Sequence, residues 1–202
     1  PFSLALQRGH APTLTVIANA TDEDGNTAVS MAARSGDIAV LKQLIPLCAF
    51  LDVRNGEWHT PIVLAALHGH AEAVHMLAKA GARLDLLDKD GNTALMCAVE
   101  RDEADMVKCL VDAKAGIDTT NAAGKTVLDA ALSRNNSGIV SILGDHAIWR
   151  AMQTRDVILL KQLTHLKTSL DVKNERGETP LIVASSQGLA EAVQVLLDAK
   201  AT

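Results

Sequence analysis

The chain is predicted to be all α-helical and built from stacked helix-turn-helix units. Three observations predict it. Threonines recur at Thr27, Thr60, Thr93 and Thr126, a period of 33 residues, and Thr179 heads a further copy. Five residues after each stands an Ala (Ala32, Ala65, Ala98, Ala131, Ala184), and seventeen after each a Leu (Leu44, Leu77, Leu110, Leu143, Leu196). The 202 residues are 48% hydrophobic yet include no Tyr, two Phe and two Trp, so Ala and Leu fill the interior in place of the aromatic residues a sheet favours. A fixed period of this size marks an array in which each unit buries its apolar face against the next.

Each column has a physical reason. Five residues before each Thr comes Asp or Asn (Asp22, Asn55, Asp88, Asn121, Asn174), whose side chain closes a tight turn on its own backbone. Two residues before the Thr comes Gly (Gly25, Gly91, Gly124, Gly177), which supplies the positive φ of that turn; the second unit has Trp58 instead. The Thr caps helix one. Ala lets helices approach to roughly 8–10 Å, while Val74, Leu77 and their equivalents in helix two fill the layer between units. The two helices separate near Gly36, Gly69 and Asp102, and Asp tolerates a left-handed backbone better than most residues.

These columns resemble the ankyrin repeat. The family's Thr-Pro-Leu-His stands as Thr60-Pro61-Ile62-Val63 and Thr179-Pro180-Leu181-Ile182, keeping its Pro twice and its His never. The resemblance implies an all-α ankyrin repeat solenoid with protruding turns, one domain of about six repeats over 202 residues.

In chain order, Leu4-Ala5-Leu6 with Gly9 matches a first helix and Leu14 to Ile17 a second, with a shortened link to the turn at Asp22. The units headed by Thr27, Thr60 and Thr93 are full length. After Thr126 the register breaks: Val127 to Arg134 and Ile139 to Leu143 read as helices, but Gly144-Asp145 leads straight into Ala147 to Gln153 with no turn motif. One unit has lost its end and the next its protruding turn. The resumed unit echoes an earlier one, since Leu160-Lys161-Gln162-Leu163 and Leu170-Asp171-Val172-Lys173-Asn174 repeat Leu41-Lys42-Gln43-Leu44 and Leu51-Asp52-Val53-Arg54-Asn55. Residues 144–147 are therefore expected to join sub-arrays 1–144 and 145–202, with a bend or slip of the stack there and Trp149 filling the gap. Pro1 and Thr202 fall inside repeat units, which implies a segment of a longer protein.

Little chemistry is on offer. A net charge of −5 carries no electrostatic footprint for nucleic acid or an anionic membrane, and no apolar run reaches the ~18 residues of a membrane-spanning helix. Cys48, Cys97 and Cys109 form no paired spacing, which implies free thiols, a reducing compartment and a cytoplasmic protein. Two glycosylation-type triplets, at Asn19 and Asn135, are chance matches in that setting. His68, His70 and His75 have no carboxylate or Cys at ligand spacing, so no metal is expected, and His70 reads as a helix-start cap. No catalytic motif appears and no cofactor is implied.

The resemblance implies instead a monomeric module that binds another protein through its turn tips and the exposed face of helix one. Carried over by position, the tips offer Glu23, Asp24, Asn26, Glu57, His59, Lys89, Asp90, Asn92, Lys125, Glu175, Arg176 and Glu178, and helix one adds Arg34, Leu67, His68, Glu100, Arg101, Arg134 and Gln187. Trp58 stands out among them, because Trp buries a large area with few torsions to freeze. It is either a contact residue, with Leu67 and His68 in the same groove, or a filler folded over the next turn, with Asn55-Gly56 making the bend early. Two other readings remain: the regulatory or targeting segment of a larger enzyme such as a kinase, and a structural spacer.

Overall fold

The computed structural model describes residues 19–47, 50–164 and 169–201. The expected helices at Leu4 to Ile17, and Cys48, lie outside these residues. Among the described residues the regular structure is eleven α-helices and one 3-10 turn, Ile45–Leu47. The contacts divide the chain into two compact units, 1–134 and 135–202.

Unit 1 holds α1 (Ala28–Ser35), α2 (Ile38–Leu44), α3 (Pro61–Leu67), α4 (Ala71–Lys79), α5 (Ala94–Glu100), α6 (Ala104–Asp112) and α7 (Val127–Ser133). Helix-one elements pack on one another in the order α1, α3, α5, α7, and helix-two elements in the order α2, α4, α6. The helices begin where the columns say. Thr27, Thr60, Thr93 and Thr126 each lie in extended backbone and accept the amide of the residue three further on, and Asp129 returns the bond to the Thr126 amide to complete a capping box. Pro61 at the first turn of α3 lacks a donor that would have no partner there in any case. Each helix-one element ends at a left-handed residue: Gly36 (φ 70°), Gly69 (φ 79°), Asp102 (φ 63°) and Asn135 (φ 56°). Leu44, Leu77 and Leu110 are fully buried, as are Ala65 and Ala98.

Unit 2 holds α8 (Ser137–Thr154), α9 (Val157–Thr164), α10 (Pro180–Ser186) and α11 (Ala190–Asp198). The irregular stretch takes a simple form: helix two of the fourth repeat and helix one of the next run as a single 18-residue helix, α8. Residues 144–147 lie inside it, so no turn there can host a bend, and the compact units part between Arg134 and Asn135 rather than at 144–147. The reason is local. Between Leu143 and Ala147 nothing stops a helix except Gly144, whose cost in a helix interior is only about 1 kcal/mol. Trp149 is half-buried on this helix. Arg155 (φ 58°) then makes the left-handed corner that Gly188 (φ 68°) makes one period later, and Asp156 accepts the Leu159 amide to start α9. Leu160 and Leu163 are buried as Leu41 and Leu44 are, which matches the echo between the two segments. Thr179 caps α10 as its counterparts cap theirs.

Two substitutions test this packing. Leu77→Ala should destabilise unit 1 by about 2–5 kcal/mol, measured by urea unfolding. Asp145, on α8, has one carboxylate oxygen buried without a hydrogen bond, and burial pushes its carboxyl above the ordinary aspartate value. Its contribution to stability is therefore full in acid and lost as pH rises through the raised value. Asp145→Asn should melt higher than the parent at neutral pH, with the gap narrowing as the pH falls through the raised value and closed below about pH 4.

Candidate binding surface

The protruding turns, or fingers, share one construction. In the second, the Asn55 amide donates to the His59 carbonyl at 3.1 Å and the Trp58 amide to the Asn55 carbonyl at 2.9 Å. Asn55 Oδ1 accepts the amides of Glu57 (3.0 Å) and His59 (2.9 Å). Asp22, Asp88, Asn121 and Asn174 organise the other four fingers with the same set of bonds, at 2.7–3.2 Å. The Asp or Asn that opens each finger thus acts as a template for the whole turn.

Trp58 leaves this pattern intact. No early bend at Asn55-Gly56 relieves it, because the Asn55 bonds are those of the other fingers; Trp58 takes the left-handed place itself, at φ 65°. That conformation costs a non-glycine residue about 1–2 kcal/mol. Trp58 is 53% exposed, with the Arg54 guanidinium 5.2 Å from the ring centroid, a cation–π contact.

Trp58 does change the relation between fingers. Fingers one and two are laced by the Gly56 amide to the Asp24 carbonyl at 2.7 Å and by Asn55 Nδ2 to Asn26 Oδ1 at 2.9 Å. Fingers three and four repeat both bonds, with the Ala122 amide to the Asp90 carbonyl at 2.9 Å and Asn121 Nδ2 to Asn92 Oδ1 at 3.2 Å. Between fingers two and three neither bond forms, so the Glu57 carbonyl and Lys89 amide stay apart. Glycine elsewhere in the column explains why: a Cβ on Gly25 would come within 3.3 Å of the Gly56 nitrogen, and one on Gly91 within 2.7 Å of the Ala122 nitrogen. Trp58 carries that Cβ. The side-chain bond fails for its own reason, since His59 and Asp88 replace the two Asn residues, and His59 Nδ1, 3.4 Å from Glu57 Oε2, is buried without a hydrogen bond.

The helix-one ends are bound across repeats. His70 stands at the start of α4 but makes no side-chain cap, correcting that expectation. Its ring lies over Gly36 and Nε2 reaches the Arg34 carbonyl at 3.1 Å. Arg101 does the same one repeat on, lying over Gly69 and donating Nη1–H to the Leu67 carbonyl at 3.1 Å. The rings of His68 and His70 run nearly parallel, 6.4 Å apart. A further ladder has no counterpart in the sequence expectations: Asn19, Asp52 and Asp85 accept the amides of Phe50, Arg83 and Gly116 at 2.7, 2.9 and 2.7 Å. Its only signal is the recurrence of an acid or amide at that register.

Of the expected contact residues in unit 1, Arg34, Glu57, Trp58, His68, Lys89, Asp90, Glu100, Arg101, Lys125 and Arg134 are exposed, while His59, Leu67 and Asn92 are half-buried. Asn26 is a correction. It is 7% exposed and spends its side chain on Asp22 and Asn55, facing the neighbouring finger. Glu175, Arg176 and Gln187 are exposed in unit 2, with Glu178 half-buried against Asn174.

Among the described residues no group of three or more His, Cys, Asp or Glu could hold a metal, and no helix is long and apolar enough to cross a membrane. Burial, and then the Asp88 carboxylate, push the Cys97 thiol up to about 12. At neutral pH it is a protonated core group and not a nucleophile.

A family model of ankyrin repeats, three copies long, matches residues 2–88 and again residues 80–151. No curated protein matches the chain.

Trp58→Gly removes the left-handed cost and the Cβ that parts fingers two and three. It should raise the stability of unit 1 by up to about 1 kcal/mol in chemical denaturation, since the cation–π contact it forfeits is the smaller term. A lower stability would mean that the Trp58 ring supports the fold.

Proposed function

Because the chain belongs to the ankyrin repeat family, whose members are generally protein–protein interaction modules, we propose that it binds a partner protein through the fingertips and helix-one ends of unit 1, with Trp58 as the anchor. One observation carries this reading. Trp58 stands 53% exposed in a backbone conformation that favours Gly, a local cost at a side chain that keeps about half of its surface in solvent. A partner that buries the ring supplies the return, because removing a Trp side chain from water releases more free energy than burying almost any other group. Leu67, His68 and Arg101 at the C-terminal ends of α3 and α5 offer further surface of mixed polarity to the same partner.

The test keeps the Cβ and the backbone while deleting the ring. Affinity enrichment from source-cell lysate with the parent and with Trp58→Ala, both checked by circular dichroism, should capture a protein with the parent and lose it about tenfold or more with the variant, the loss typical of a hot-spot residue. Equal capture by both baits would remove Trp58 as the anchor.

A further inference from the structure

Of the asparagines in the chain only Asn55 is followed by glycine. That pair carries a reaction of its own. The main-chain nitrogen after an asparagine can attack the side-chain amide carbon, and glycine, with no Cβ beside that nitrogen, hinders the attack least. In the second finger both reacting groups are held. Asn55 Oδ1 accepts the Glu57 and His59 amides at 3.0 and 2.9 Å, and Asn55 Nδ2 donates to Asn26 Oδ1 at 2.9 Å. The Gly56 N–H, whose proton must leave, is donated to the Asp24 carbonyl at 2.7 Å. Asn55 is half-buried and Gly56 exposed, so solvent reaches the pair.

We propose that Asn55 is a site of spontaneous deamidation and that the lace between fingers one and two sets its rate. When the fingers part, the Gly56 nitrogen gives up its proton and bonds to Asn55 Cγ. The bond from Cγ to Nδ2 breaks, Nδ2 leaves as ammonia with that proton, and water opens the resulting cyclic imide at either carbonyl to give aspartate or isoaspartate. While the lace is closed, Cγ cannot turn onto the nitrogen without breaking the Asn55 side-chain bonds, and the Gly56 N–H stays committed to Asp24. The reaction therefore runs from the opened finger, in proportion to how often it opens. The fourth finger supplies the comparison. Asn121 makes the same bonds to its own turn and to Asn92, and the Ala122 amide the same bond to Asp90, but Ala122 carries the Cβ that Gly56 lacks. The two products differ. Aspartate templates a finger, as Asp22 and Asp88 do, but has no N–H to offer Asn26. Isoaspartate adds a carbon to the main chain and so moves its carboxylate away from the Glu57 and His59 amides, which loosens the turn that holds Trp58 at φ 65°. None of this depends on Trp58 being the anchor.

The full 202-residue chain is incubated in mildly alkaline buffer, both folded and unfolded in guanidinium chloride. Deamidation at Asn55 is followed by peptide mass mapping that separates the aspartate and isoaspartate forms. Two variants are run alongside, each compared with its own unfolded chain, and circular dichroism checks that both fold. Asn26→Ala deletes the acceptor of the Asn55 Nδ2 bond. Gly56→Ala copies the fourth finger; its Cβ would stand 3.2 Å from the Asp24 oxygen, and Ala122 makes the same lace with its Cβ in place.

Asn55 should react about tenfold or more slowly in the folded parent than in the unfolded one. Asn26→Ala should raise the folded rate by about threefold or more, and Gly56→Ala should slow the unfolded reaction by about tenfold or more. In the isoaspartate form the Glu57 and His59 amides should exchange with deuterium faster than in the parent. A folded parent that reacts as fast as the unfolded one overturns the protection, and an unchanged rate in Asn26→Ala overturns the lace as its source. An Asn55 that stays intact in the unfolded chain overturns the site, and unchanged exchange in the isoaspartate form overturns the loosened turn.

Discussion

Each repeat is a pair of short helices that cannot bury its own apolar face, and the neighbour that covers that face makes everything else in the fold possible. Helices of seven to nine residues are too short to persist alone in water. They persist here because Ala65 and Ala98 let helix-one elements close up, and Leu44, Leu77 and Leu110 fill the second layer to zero exposure. A core made of small and aliphatic side chains suits this arrangement, since every layer is thin and built like the next. That is why a chain with two Trp residues places one in the half-buried middle of a fused helix and the other on a fingertip.

Burial sets the spacing of the repeats, and polar rungs set their register. Three kinds recur between neighbours: acid or amide side chains after helix two, taking backbone amides one repeat on; His70 and Arg101 closing over a left-handed Gly onto the end of the preceding helix; and the paired bonds between fingers. All three sit at the rim, where water competes, so each contributes about 0.5–1.5 kcal/mol at most. The finger bonds are therefore the ones a repeat can forgo without losing the stack, and they are the ones missing beside Trp58.

Much of this is legible in the order of residues. The caps, the finger template and the left-handed corners at Gly36, Gly69 and Asp102 follow from residue type at fixed spacing, because each is decided within about five residues of chain. Sequence reasoning fails where a residue's partner lies one repeat away. Asn26 reads as a fingertip contact and is a rung; His70 reads as a cap and spans two repeats; Trp58 reads either as a contact residue or as a filler relieved by an early bend, and no such bend forms because Asn55 holds the turn and Trp58 takes the left-handed place itself. The corner at Arg155 is silent in the sequence because Arg gives no sign of a left-handed backbone, and only its distance of one period from Gly188 marks it.

Local backbone preferences and a column pattern printed several times over are enough to establish the repeat, its period, the family and the residues that open and close each helix. Two features belong to the three-dimensional packing instead. Two helices fuse through Gly144, because helix continuity depends on whether a stop signal outweighs the packing on both sides. The Glu57 carbonyl and the Lys89 amide stay apart, because a hydrogen bond between turns is fixed by the distance of closest approach, and the Trp58 Cβ sets that distance across the finger gap.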